Sequence, residues 1–321
     1  MKSLINRRSV FLFLAICLAG LALVVTPERL ASFGIMDSSL ASDNPLTRQS
    51  ALRLILFARI GLAVCGMLLA TLALAAPRIE ASAFFQRCIR EGSTFPKNYE
   101  QQQRRVFHGT ALVALTSLVA ASLYIWLGSR FGSQTQGLVS QEDGFIEWTS
   151  ALLLLAACLT AFRVASRMPD KAHAGMHLFL GVLFFVMLGE EISWGQRLLG
   201  FSTPDTLAQI NVQGETNLHN SFGYLFDHLF ILGFFVWGCV LPLLYWFEPV
   251  WCWVQSRLGI PIPSAGLSLA MLGITLFQEQ VTDSLFGVIP GFRVPELREL
   301  LSALCFGLMM IESRALTADK S

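Results

Sequence analysis

The stretch 151–191, ALLLLAACLTAFRVASRMPDKAHAGMHLFLGVLFFVMLGEE, contains two apolar runs separated by a short segment with basic residues. With the residues that flank it, each run reaches the length of about 20 residues that an α-helix needs to cross a hydrocarbon core of about 30 Å. The segment between the runs is too polar to lie in lipid. The stretch therefore predicts a pair of transmembrane helices joined by a short loop.

The composition extends this prediction to the whole chain. Of the 321 residues, 54% are hydrophobic and 14% are charged, whereas a soluble domain carries about 25% charged residues. We predict an all-α, polytopic integral membrane protein whose single membrane domain covers residues 1–321. It contains about eight transmembrane helices, at about 9–26, 54–76, 108–128, 144–165, 174–195, 222–246, 265–287 and 295–313.

The basic residues indicate the orientation of these helices. Most of the 23 Lys and Arg residues fall in the segments that lie on the same side as both termini, and most acidic residues fall on the other side. Because Lys and Arg are retained on the cytoplasmic side, we predict cytoplasmic termini and a plasma (inner) membrane location. The inner loop 77–106 mixes aromatic and basic residues, which is typical either of a segment resting on lipid headgroups or of a solvated loop.

A net charge of +1 argues against a nucleic-acid partner. The apolar runs make the lipid bilayer the predicted partner. The seven cysteines lie mostly in apolar runs, without the paired spacing of a disulfide framework or a zinc site. These features leave the polar segments as the places where a functional site is expected.

The longest polar segment on the outer side is 189–228, GEEISWGQRLLGFSTPDTLAQINVQGETNLHNSFGYLFDH. It contains the outer loop 196–221, which is predicted to carry part of the site. Glu190 and Glu191 lie at the C-terminal end of a predicted helix, where the helix dipole disfavours carboxylates. A proton, a cation or an arginine would compensate, and Arg197 shares a helical face with Glu190. This arrangement predicts a site at the end of that helix.

The other end of the segment begins the next predicted helix. At about 100° per residue, its polar side chains occupy one half of the helix: His219, Asn220, Tyr224, Asp227 and His228. Carboxylates and imidazoles are common ligands of divalent metals and common general bases. The pattern therefore favours a functional site over a solvated helix end.

Further carboxylates lie at the predicted outer helix ends. Glu279 and Asp283 are four residues apart, where like charges repel, and Arg59 is a candidate counter-ion. Glu147 lies one turn inside its helix. Glu296 and Glu299, by contrast, follow Pro295 at a helix start, where first-turn acids are favourable without any function.

We predict Glu190, Glu191, His219 and His228 as catalytic residues. A divalent metal is the candidate cofactor, with ligands among Glu191, His219, Asp227, His228, Glu279 and Asp283. The residues predicted to support the site are Arg197, Asn220, Tyr224, Glu147 and Arg59.

Together these residues predict a membrane-embedded hydrolase or transferase that acts on a lipid-linked substrate at the outer face. Two other classes remain open. One is a proton- or cation-coupled transporter, in which carboxylates bind the ion. The other is a non-catalytic subunit of an envelope membrane complex, which docks a partner through its polar outer face.

Overall fold

A computed structural model describes the chain over residues 8–34, 36–92, 99–132, 139–141, 144–168, 170–209, 211, 214–218, 225–246, 251, 253–254 and 257–318. Within these ranges the elements are helical and no β-strand occurs, which confirms the predicted all-α class. The α-helices are α1 (Arg8–Val24), α2 (Pro27–Ser32), α3 (Asp37–Leu40), α4 (Pro45–Ala81), α5 (Ala83–Gly92), α6 (Tyr99–Phe131), α7 (Phe145–Ala165), α8 (Lys171–Glu191), α9 (Gln196–Leu199), α10 (Asp205–Ala208), α11 (Leu225–Phe235), α12 (Ala265–Thr275), α13 (Glu279–Phe286) and α14 (Val294–Ala318).

Five described helical segments are long and apolar enough to cross a membrane. They are Thr47–Ala81, Val106–Phe131, Phe145–Ala165, Lys171–Glu191 and Phe226–Leu244. Two further apolar helices, α1 and α12, are shorter. These lengths indicate a multi-pass integral membrane protein. Eight spans and cytoplasmic termini stay predictions.

The chain divides into two compact units, one formed by Met1–Pro96 with Leu243–Ser256 and the other by Lys97–Pro242 with Arg257–Ser321. In the first unit, α1 packs along α4. Apolar side chains of both helices, including Phe11, Ala15 and Leu69, form a buried cluster. Arg59 of α4 donates from Nε to the carbonyl oxygen of Ala22 at 3.2 Å. This bond satisfies one of the free carbonyl groups at the end of α1.

The second unit is built around α14, which packs against α6, α7 and α12. The Phe306 ring lies 5.2 Å from the Phe184 ring and 5.6 Å from the Phe234 ring, measured between centroids. Met309 and Met310 are fully buried beside them. The middle of α14 is therefore an apolar core helix, and its charged side chains are confined to its two ends.

At the C-terminal end of α14, the Glu312 carboxyl group is buried, with 3% of its surface exposed. It accepts hydrogen bonds from Thr110 Oγ1 at 2.5 Å, from Ser264 Oγ at 2.7 Å and from Ser264 N at 2.9 Å. Ser264 is also the N-cap of α12, because its Oγ accepts from Leu267 N. Glu312 therefore ties the start of α12 and a turn of α6 to α14.

Two of the predicted helices are not continuous. The predicted helix 265–287 is divided into α12 and α13, and Gln278 between them has an extended backbone. Its Nε2 donates to the freed carbonyl of Thr275 at 2.9 Å, which stabilises the break. The predicted helix 222–246 continues from α11 as a π-helix, Val236–Val240, and then as a 3₁₀-helix, Leu241–Trp246.

The change of helix type after α11 has local causes. Pro242 has no backbone N–H and cannot continue the α-helical hydrogen-bond pattern. Gly238 lies against α12, and a Cβ atom there would be 2.6 Å from Met271 Cε. The missing side chain therefore permits the close approach of these two segments.

Candidate functional site

Three carboxyl groups meet where α8 ends and α14 begins. Glu191 is the last residue of α8, and Glu296 and Glu299 lie in the first two turns of α14. One carboxylate oxygen from each residue lies within 4.8 Å of those from the other two. All three side chains are partly buried. We call these three residues the carboxylate cluster.

The packing of helices explains why the cluster forms. Both α8 and α14 pack against α7, so the C-terminal end of α8 and the N-terminal end of α14 lie on a common support. Carboxylates are favourable at the start of α14 and unfavourable at the end of α8, because the helix dipole has opposite signs there. Glu191 is thus the member of the cluster that most needs a stabilising partner.

One such partner is Ser150, which comes from α7 and is fully buried. Its Oγ donates a hydrogen bond to Glu191 Oε1. Glu147, one turn earlier on α7, also interacts electrostatically with Glu191. The surroundings of Glu191 therefore combine a hydroxyl donor with three further carboxylates.

Two arginines contact the cluster from α14 and the segment before it. Arg293 Nη2 lies 3.3 Å from Glu296 Oε1, and Arg298 Nη2 lies 3.9 Å from Glu299 Oε1. Arg298 is buried and makes two shorter bonds, to Asp227 Oδ1 at 2.5 Å and to Gln278 Oε1 at 3.0 Å. Arg298 thus joins the cluster to α11 and to the break between α12 and α13.

Glu190, next to Glu191, has a different set of contacts. Its Oε1 accepts from Trp194 Nε1 at 2.8 Å, and its Oε2 accepts from the backbone N–H of Leu218 at 2.5 Å. The turn between them has positive φ at Ser193, Trp194 and Gly195, a conformation that costs energy for the two residues with side chains. The Glu190 side chain therefore holds the two ends of the loop that follows α8.

The described part of this loop is organised by buried polar side chains. Asn217, with 1% of its surface exposed, donates from Nδ2 to Glu215 Oε2 at 2.7 Å and to Ser193 Oγ at 3.0 Å. Asn211 Nδ2 donates to Asn217 Oδ1 at 2.8 Å. Ser193 Oγ in turn donates to Glu215 Oε2 at 2.8 Å. The loop next to the carboxylate cluster is therefore internally hydrogen-bonded.

The structure separates the sequence-predicted site residues. Glu191 belongs to the carboxylate cluster, with Glu147 near it, while Asp227 contacts Arg298. His228 is buried in α11, outside the group of ligand atoms around Glu191 among the described residues. Three residues, His219, Asn220 and Tyr224, lie outside the described residues, as does the side chain of Arg197.

The remaining predicted residues have other surroundings. Glu279 and Asp283 lie on α13, and Asp283 is partly buried. Burial, together with the negative charge of Glu279, raises the pKa of Asp283 to about 6. Arg59, predicted as their counter-ion, belongs to the first unit, where its Nε donates to the Ala22 carbonyl. Its pairing with Glu279 and Asp283 stays a prediction.

Sequence reasoning did not select Glu296, Glu299, Ser150 or Arg298. The two glutamates follow Pro295 at a helix start, a position that explains acids without any site. The signal that distinguishes them is their distance from Glu191, which only the packing of α8 and α14 creates.

Comparison of the chain with known protein families, with curated proteins and with solved structures finds no match. Three carboxylates with a buried hydroxyl donor and two guanidinium groups can bind a cation, and they can also exchange protons.

Proposed function

We propose that the chain is a membrane-embedded hydrolase or transferase in which Glu191, Glu296 and Glu299 hold a divalent cation. The observation that carries this proposal is the convergence of one oxygen from each carboxylate to within 4.8 Å. Carboxylate oxygens suit hard cations such as Mg²⁺, Mn²⁺ and Ca²⁺. A cation of this kind polarises a substrate oxygen and lowers the pKa of a bound water molecule.

The charge of the surrounding groups supports the same cation. The cluster, Glu147 and Asp227 contribute five carboxylates, and those of Glu296, Glu299 and Asp227 contact the guanidinium groups of Arg293 and Arg298. Two guanidinium groups carry less than half of the charge of five ionised carboxylates, and a divalent cation would supply most of the remainder. Without a cation or a proton, carboxylates this close destabilise one another.

The position of the cluster favours a lipid-linked substrate. Glu191 is the last residue of a segment long enough to cross a membrane, so its carboxyl group lies where that segment leaves the hydrocarbon. The headgroup of a lipid-linked substrate occupies the same level, and the distribution of Lys and Arg favours the outer face. His219 and His228 are candidate general bases, and Glu190 is a candidate positioning residue for the loop.

A titration with Mn²⁺ tests the cation site. We expect the full-length protein, purified in detergent, to bind a single Mn²⁺ ion, measured by electron paramagnetic resonance of the free ion. Glu191→Gln and the double variant Glu296→Gln/Glu299→Gln should lose this binding. Glu279→Gln is the matched control, because Glu279 is an exposed glutamate on α13, and it should bind as the wild type does.

The outcome separates two ligand sets. Loss of binding in Glu279→Gln, with binding retained in the double variant, would reject the cluster and favour the ligands predicted from sequence.

A second experiment tests the enzyme class. The Mn²⁺-loaded protein is incubated with an envelope lipid extract, and mass spectrometry follows the loss of lipid headgroups. Equal turnover by wild type and Glu191→Gln would reject the proposed active site.

A cation- or proton-coupled transporter is the second candidate. The break between α12 and α13, at which Gln278 contacts the buried Arg298, is an observation that favours it, because many transporters bind ions at interrupted helices. Uptake of Mn²⁺ or protons into proteoliposomes that contain the purified protein tests this candidate. Uptake that Glu191→Gln abolishes would favour transport over hydrolysis.

A further inference from the structure

The helix α5 folds back on the end of α4. Ser82, between the two helices, donates from Oγ to the Ile79 carbonyl at 2.7 Å and accepts from the backbone N–H of Phe85 at 3.1 Å. The Phe85 side chain is buried in a cluster with Ala73 and Ala76 of α4. The start of α5 therefore lies beside the last turns of α4 and does not extend away from them.

This arrangement places α5 at the membrane surface. Its 10 residues span only about 15 Å, half of the hydrocarbon core. The last turns of α4, against which Phe85 packs, are the end of the candidate span Thr47–Ala81. The 35 residues of this span are more than the hydrocarbon core requires, and its apolar run ends at Ala76, before Pro77 and Arg78. The chain therefore leaves the hydrocarbon after Ala76, which puts α5 near the level of the lipid headgroups.

The two faces of α5 differ in chemistry. Phe85 and Cys88 are buried and Ile89 is partly buried, so this face packs against the first unit. Arg87 and Arg90, three residues apart, are exposed on the other side of the helix. Arg78, in the last turn of α4, is also exposed. The exposed face of α5 therefore carries two guanidinium groups, and α4 carries a third nearby in the chain.

Aromatic side chains flank the basic face. The Phe84 ring is half exposed and lies edge-on to the Trp253 ring, with 5.1 Å between centroids. Aromatic rings are enriched where a protein meets the membrane–water interface, and arginine stems cover apolar surface while their heads reach water. An aromatic pair beside exposed arginines fits a lipid interface better than open solvent.

We infer that the basic face of α5, formed by Arg87 and Arg90, binds the headgroups of anionic phospholipids. A guanidinium group donates two parallel hydrogen bonds to a phosphate, and each basic residue near an anionic membrane surface strengthens binding about fivefold. Of the two interpretations that the sequence left open for the loop 77–106, this proposal selects the segment that rests on lipid headgroups. It is independent of the carboxylate cluster.

The test measures lipid binding to the full-length protein. The purified protein in neutral detergent is titrated with phosphatidylglycerol, and native mass spectrometry gives the dissociation constant of the first bound lipid. We expect Arg87→Gln/Arg90→Gln to bind phosphatidylglycerol more weakly and to raise this dissociation constant at least fivefold. Arg48→Gln is the matched control, because Arg48 is an exposed arginine near the other end of α4, and its constant should not change.

Two additional measurements separate charge from misfolding. Arg87→Lys/Arg90→Lys keeps the charge and should recover most of the affinity that the glutamine variant loses. Titration with neutral phosphatidylcholine should give the same constant for wild type and Arg87→Gln/Arg90→Gln. The inference would be overturned if the glutamine variant bound phosphatidylglycerol like the wild type, or if the lysine variant lost as much affinity as the glutamine variant.

Discussion

The guanidinium group of Arg298 and the carboxylate of Asp227 form an ion pair, with 2.5 Å between Nη2 and Oδ1. Arg298 is almost fully buried and Asp227 is mostly buried. The pair joins α14 to α11 beside the carboxylate cluster. A buried charge that loses its partner is costly, so this pair couples the stability of the fold to the charge of the site.

The first prediction concerns this ion pair. Arg298→Met leaves Asp227 and Glu299 without the guanidinium group, and we expect it to lower the free energy of unfolding by about 3 kcal/mol. Denaturant unfolding of the detergent-purified protein measures the change. The double variant Arg298→Met/Asp227→Asn should recover part of the loss, because it removes the orphaned carboxylate. Strictly additive losses would show that the two side chains do not interact.

The second prediction concerns the Ser150 hydroxyl group. Ser150→Ala removes the hydrogen bond to Glu191 Oε1 and should weaken Mn²⁺ binding about tenfold, as loss of a group that orients a metal ligand does. The Mn²⁺ dissociation constant is read from the same titration. Ser122→Ala is the control, since the Ser122 Oγ bonds only the Leu118 carbonyl of its own helix in the described contacts. Unchanged Mn²⁺ affinity in Ser150→Ala, or an equal loss of affinity in Ser122→Ala, would contradict the role of the Ser150 hydroxyl group.

The third prediction uses the close approach of Gly189 and Trp194. A Cβ atom at Gly189 would lie 2.8 Å from Trp194 Cε3, so Gly189→Ala should displace the indole and break its bond to Glu190. Hydrogen–deuterium exchange at the Leu218 amide, which Glu190 also binds, should accelerate about tenfold. Gly175→Ala in the same helix has open space around the new methyl group and should leave this amide unchanged.

The fourth prediction is a pH dependence. The pKa of Asp283 rises from 3.8 to about 6 on folding, so the folded state binds more protons than the unfolded state in that interval. Stability should therefore fall as the pH rises through it. Asp283→Asn should remove this fall, which makes the variant more stable than the wild type above about pH 6.

Thermal midpoints of both proteins between about pH 4 and pH 8 measure the effect. For Glu279→Gln, we expect a pH dependence of stability between those of the wild type and Asp283→Asn. This substitution removes the second cause of the raised pKa and should reduce the fall without abolishing it. Parallel curves for wild type and Asp283→Asn would contradict the prediction.

The sequence predicted the all-α class because apolar runs of membrane-spanning length are a local property. It did not predict the break after Thr275, since Leu276, Phe277 and Gln278 contain no proline or glycine. The break depends on tertiary contacts, above all the bond from Arg298 to Gln278, and such contacts are not visible in a local pattern.

The same distinction holds for the candidate site. Glu191 was predicted because a carboxylate at a helix C-terminus conflicts with the helix dipole, and this conflict is visible in the sequence. Glu296 and Glu299 were interpreted as ordinary acids because their position satisfies the dipole. Their proposed role depends on the packing of α8 and α14 on α7. Because neither glutamate conflicts with the dipole of its own helix, the sequence pattern did not indicate a site there.

The two polar ends of α14 also bear on how the chain is made. Every element that α14 binds through these ends precedes it in the sequence: α6, α8, α11 and the start of α12. During synthesis, Thr110, Ser264 and Asp227 are therefore made before Glu312 and Arg298 exist. Packing of α14 onto these elements is the step that satisfies them, so a chain that stops before residue 294 lacks the partners that α14 supplies.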